Sequence, residues 1–168
     1  MTSTPVIRPV VLIVISLGAL LAQTLVLPYA AVGTIVPDVV LIWVVYLAVT
    51  RGHIAGSTAG FFLGLMLDVL LGDNGMLGLS AFTKAIGGFL AGYTFNENKT
   101  LQTLSTSRFP LIVTLVALIH NQIYFMISLQ GSDIPVQAVI LRYGIPSTIY
   151  TGLVALLPMF VFSRRVRS

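Results

Sequence analysis

Long apolar runs broken by short polar stretches set the plan of this chain. Residues 10–27 are mostly apolar, with one internal polar pair, Gln23 and Thr24. At a rise of about 1.5 Å per residue, such a run covers about 27 Å, close to the thickness of a bilayer core. It could also be a signal peptide, but it is long for one and Tyr29-Ala30-Ala31 makes a poor cleavage site, so it reads as a span. Residues 35–49 form a short second run, with Pro37 at a natural helix start and Asp38 beside it. Residues 54–71 form a third run, and 77–95 a fourth after the turn Gly72-Asp73-Asn74-Gly75. Residues 109–129 are a clean fifth run. The sixth, 136–162, contains Pro146 and Pro158 and reads either as one kinked helix or as a short re-entrant piece plus a helix. The pattern predicts an all-α protein of six transmembrane helices in a single domain covering residues 1–168.

Charge fixes the expected orientation. Two of the nine Lys and Arg residues, Lys84 and Arg142, fall within the apolar runs. The others are Arg8, Arg51, Lys99, Arg108, Arg164, Arg165 and Arg167, and with six spans all of them fall on one side. The loops on the other side offer Asp73 and Asp133. Basic residues mark the cytoplasmic face, so both termini are expected there.

Composition agrees: 57% of residues are apolar, 8% are charged, and mean hydropathy is +1.00. A soluble domain of this size needs more charge to cover its surface. The pI near 9.8 does not point to nucleic acid, because the basic residues are scattered one or two per loop until the RRVR tail, which reads as a topology anchor or a dock for anionic lipid or an acidic partner. Without cysteine there is no disulfide or thiolate chemistry. No phosphate-binding glycine loop and no metal-ligand cluster is present, so no cofactor is expected. The longest loop, residues 96–108, is polar and too small for a catalytic domain.

One stripe stands out. Gly52, Gly56, Gly60, Gly64 and Gly72 recur every four residues, with Asp68 in the remaining place. Small residues four apart share one helix face and let a second backbone come close. Asp38, Asp68, Lys84 and Arg142 all fall in the outer half of their spans and sum to zero charge. Isolated charges at such depth are costly, and pairing Asp68 with Lys84 across adjacent helices is the cheapest solution. The four can be read as an ion-pair network fixing helix register, as an outward pocket for a ligand or partner, or as an ion relay, the last lacking acids in the inner half. His120, Asn121 and Gln122 lie near the middle of the fifth span, about 100° apart, and suit interhelical hydrogen bonding. No nucleophile stands near either histidine in a catalytic arrangement, and no enzyme activity is expected.

Pro37-Asp38, then Arg51-Gly52, then Gly60, Gly64 and Asp68, then Gly72, Gly75, Gly78 and Leu79 follow in an order and spacing that resemble the rod shape-determining protein MreD family. The motifs are concentrated in residues 37–92. The resemblance implies a non-enzymatic scaffold subunit in the bacterial cytoplasmic membrane. It also implies partners in MreC, a single-span protein, and in the cell-elongation machinery that directs lateral peptidoglycan synthesis. It further implies the fold of the substrate-binding subunits of energy-coupling-factor transporters. An alternative function is therefore a small-molecule binding subunit of an ATP-driven uptake transporter, which would need an ATPase partner. Lys84 and Arg142 match no family motif.

Overall fold

The computed structural model describes residues 9–72, 76–130, 133 and 135–167, with the side chains of 165–167 excluded. Arg8, Asp73, Asn74, Gly75 and the side chains of Arg165 and Arg167 lie outside the described residues. The described chain is all-α, and its one extended feature is an isolated bridge between Val32 and Ile35.

Helix α1 (Pro9–Leu21) continues through a π turn (Ala22–Val26) and a 3-10 turn (Leu27–Ala30). Helix α2 (Val39–Arg51) begins at Asp38, whose carboxylate accepts from the Leu41 N–H at 2.8 Å. Pro37 thus precedes the cap and does not occupy the first helical position. Helix α3 (His53–Leu71) follows after Gly52 alone, whose φ of 90° permits the reversal. Helix α4 is Leu79–Gly92, and the expected polar loop after it contains a six-residue helix, α5 (Thr100–Ser105). Buried Leu104 anchors α5 on the bundle, where it packs on α9. Helix α6 is Arg108–Ser128. The last run is α7 (Val136–Val139), a π turn (Ile140–Gly144), α8 (Ile145–Val154) and α9 (Leu156–Arg167). It remains helical through Pro146, which sits just after the π turn, where one register slip already frees the backbone group that proline cannot bond.

Among the described residues, four helical segments are long and apolar enough to cross a membrane: Pro9–Ala30, His53–Leu71, Arg108–Ser128 and Val136–Arg164. Helices α2 and α4 are shorter, at 13 and 14 residues. Helix α2 is apolar nearly all round and is the core of the bundle, with Val40, Leu41, Val44, Val45 and Ala48 fully enclosed. The first of these segments, Pro9–Ala30, is mostly exposed at the edge of the bundle, with Leu20 the buried residue of α1. Its hold on the bundle includes the Trp43 indole N–H donating to Ser16 Oγ at 2.8 Å.

The closest contact is between α3 and α4, which run antiparallel. A Cβ placed on Gly56 would strike Ala48 and the Gly88 carbonyl, one on Gly60 the Lys84 carbonyl, and one on Gly64 the backbone of Ser80 and Ala81. Helix α4 answers with its own small residues: a Cβ on Gly88 would meet the Gly56 backbone, and one on Gly92 the backbone of His53. Each step of four along α3 is matched by a step of four back along α4. The ends of the stripe do something else. Gly52 and Gly72 close α2 and α3 with left-handed backbone (φ 90° and 57°), and nothing crowds Gly72.

Gly60→Ala should therefore lower the thermal midpoint in detergent, since overpacking costs about 1–3 kcal/mol. Gly18→Ala, where no atom lies within 4 Å of the added carbon, should leave the midpoint unchanged or slightly raised. Equal effects in a thermal melt followed by size-exclusion chromatography would refute the packing argument.

Candidate functional site

At the end of the bundle where α2, α4 and α8 begin and α3 and α6 end, polar groups line a cavity of about 290 Å³. Asp38, Ser80, Lys84, His120, Asn121 and Ser147 are among its polar lining, with Gln23 and Thr34 at its side. Tyr124, Phe125 and Tyr143 form an aromatic wall, and Leu67 and Leu71 lie among its apolar residues.

Lys84 is 3% exposed and forms a salt bridge with Asp38. This corrects the expected pairing of Lys84 with Asp68. Asp68 instead accepts backbone N–H bonds from Gly78 at 2.9 Å, Ser80 at 3.1 Å and Ala81 at 3.3 Å. These are donors that the first turn of a helix leaves unbonded, so α3 caps α4 with a carboxylate at the positive end of its dipole. Asp68 is therefore occupied, and Lys84 turns to Asp38, the carboxylate that is within reach.

Asp38 is held from three sides. Its carboxylate caps α2. Its N–H donates to Thr151 Oγ1 of α8 at 3.1 Å. Gln23, within the π turn after α1, brackets it: its amide donates to the Pro37 carbonyl at 3.1 Å and accepts from the Val39 N–H at 2.8 Å. The polar residue in the first span thus satisfies backbone groups that the entry into α2 leaves open.

A directional chain of hydrogen bonds leaves Lys84 on its other side. Lys84 Nζ lies 3.4 Å from His120 Nε2. An ammonium has only donors, so Nε2 accepts and Nδ1 carries the ring proton. Nδ1 donates to Asn121 Oδ1 at 3.2 Å, Asn121 Nδ2 to Thr148 Oγ1 at 3.0 Å, and Thr148 to the Gly144 carbonyl at 2.8 Å. That carbonyl lies in the π turn, where the helical ladder is out of register.

The remaining expected members are elsewhere. Arg142 is exposed and does not join the cluster; its guanidinium lies 5.9 Å from the Tyr143 ring centroid. Gln122 lies against Gly144, and its Nε2 is buried with no hydrogen-bond partner among the described residues. Gln23 stands out in the sequence only as a polar break in the first run, and Thr148 and Thr151 do not stand out, although each is a polar residue inside an apolar run. Among the described residues no group of three His, Asp or Glu side chains is placed to hold a metal.

The family model of the rod shape-determining protein MreD matches residues 4–166. The chain belongs to the MreD family. No curated protein and no solved structure matches it. MreD-family membership makes this a multi-pass membrane protein of the system that determines rod shape, and the family is not one of known enzymes. The Pro37-Asp38 motif, on which the MreD resemblance partly rests, is the segment clamped by Gln23 and Thr151.

Breaking the pair from one side should be severe. Asp38→Ala leaves the Lys84 ammonium buried alone and should destabilise the fold by about 3–5 kcal/mol. The double variant D38A/K84M should recover a substantial part of that loss, as read from thermal midpoints of the four proteins in a mutant cycle. Strict additivity would mean that the two side chains are not coupled.

Proposed function

We propose that this chain is a non-enzymatic scaffold subunit of the bacterial cell-elongation machinery. It crosses the cytoplasmic membrane six times as a single domain, binds an MreC-like single-span protein and helps direct lateral peptidoglycan synthesis. The observation that carries this reading is the α3–α4 contact within an MreD-family chain. Backbones pressed together over several turns make a stiff unit whose outward faces keep a fixed shape. Those faces are rich in large apolar side chains such as Phe61, Phe62 and Leu70, suited to lipid and to a partner helix. In lipid, apolar area alone does not drive helices together, so a rigid surface of matching shape is what a scaffold can offer.

Six crossings need α2 and α4 to span as short helices. Their neighbours support this: α2 is sheathed by protein, and α4 is packed along α3. Arg51, Lys99 and Arg108 fall at the end of the bundle where α2 stops, and the cavity is at the opposite end, facing outward if basic residues mark the cytoplasm. That cavity favours a second reading, an uptake subunit with the fold of energy-coupling-factor binding proteins, dependent on a separate ATPase.

Affinity purification of the full chain from membranes should recover an MreC-like protein and wall-synthesis components, and Gly60→Leu or Gly64→Leu should abolish recovery. Co-purification of an ABC-type ATPase instead would reverse the assignment. Reporter fusions at the two termini should both report cytoplasm, and fusions within residues 130–135 should report the opposite side.

A further inference from the structure

The geometry points to a binding site for a small, net-neutral, carbonyl-bearing ring compound in the cavity between α2, α4, α6 and α8. This goes beyond the scaffold role and gives a ligand class to the small-molecule reading of the same cavity, but it rests on the cavity's own geometry and not on an ATPase partner.

Charge comes first. The floor holds one ammonium and one carboxylate, paired, with a neutral imidazole beside them. A ligand with net charge would leave that charge uncompensated in a poorly solvated place, which is costly. The occupant is therefore uncharged or internally balanced.

Hydrogen bonding comes next. The Lys84 ammonium has three protons; one goes to Asp38 and one faces His120. The third has no acceptor among the described residues. Asn121 Nδ2 spends one of its two protons on Thr148. The Ser80 and Ser147 hydroxyls line the cavity and have no hydrogen-bond partner among the described residues. The ammonium and the amide nitrogen can only donate, whereas the hydroxyls can turn to donate or accept, so a carbonyl oxygen or ring nitrogen is the group that complements the two fixed donors.

Shape completes the class. His120 and Tyr124 stack at 6.0 Å with 12° between their planes, Phe125 meets Tyr124 edge-on, and Tyr143 lies 5.8 Å from Phe125. These rings wall one side, and Leu67 and Leu71 are among the aliphatic groups that also line the space. Such a slot suits a flat body with a π face. At about 290 Å³ the volume sits at the lower end of small-molecule sites, enough for a single ring with substituents.

The absence of cysteine makes the test direct. Ser147→Cys places a sole thiol on the cavity wall, and Gln130→Cys places one at an exposed position two residues beyond α6 as a control. The full-length variants, purified in detergent, are treated with methyl methanethiosulfonate, alone and with uracil, nicotinamide, benzoate or toluene. Ser147→Cys should react. Uracil or nicotinamide should slow that reaction about tenfold at ten times its Kd, without changing Gln130→Cys. Benzoate, which brings a charge, and toluene, which brings no acceptor, should not protect. An unreactive Ser147→Cys would overturn the site. Protection by neither neutral ring compound, or equal protection by benzoate or toluene, would overturn the ligand class.

Discussion

Where Gly60 lacks a side chain, the carbonyl of Lys84 takes the space. That single contact joins the two features on which the molecule is built. The small residues of α3 and α4 bring two backbones together, and in doing so they set the depth and rotation of the one lysine in the bundle. With the Lys84 backbone pressed on α3, its side chain reaches across to Asp38 of α2 and His120 of α6. A bulkier residue at position 60 would move the cation as well as the helix. Packing and electrostatics are here one constraint, and neither can drift without the other.

An ammonium taken out of water is tolerated only when its protons and its charge are answered. The structure meets this by recruiting several elements. Asp38 answers the charge, and Gln23, Thr151 and the first turn of α2 hold Asp38. His120 accepts a hydrogen bond from the ammonium and passes the demand through Asn121 and Thr148 to a carbonyl in the π turn before α8. Both π turns therefore terminate in the same network, one through Gln23 and the other through Gly144. A helix that slips register for five residues frees backbone groups, and here the freed region supplies polar contacts at a depth where water is scarce.

Much of this was legible in the chain. Apolar run length located the long helices to within a few residues, because the bilayer imposes that length. The four-residue glycine spacing marked one face of α3. Its partner was harder to see: Ser80, Lys84, Gly88 and Gly92 repeat at the same interval on α4, but two larger residues interrupt the pattern. The choice between Asp38 and Asp68 was not legible. Both lie at similar depth, and spacing along a helix says nothing about which carboxylate a neighbouring helix will claim. The deciding fact was the demand of the N–H groups at Gly78, Ser80 and Ala81, which arises only once α4 starts where it does. Arg142 misled for a related reason: an arginine near a helix end is long enough to leave the bundle for the headgroups. Leu104 gave no periodic signal, because six residues are too few to show one.

The brevity of α4 has a further consequence for its surroundings. A helix of 14 residues is about 21 Å long, against a hydrocarbon layer of about 30 Å. Its outward face carries Phe82 and Phe89, with Leu77 just before it and Tyr93 just after it, all open to the surroundings. If α4 crosses, acyl chains meeting this flank must pinch inward, while those beside α6 need not. The bilayer around the molecule is then lopsided, thin on one side and full on the other. Such a dent costs fractions of a kcal/mol per ångström and is relieved when two dents coincide. A crossing α4 would in this way give the protein a preferred side on which to meet its neighbours.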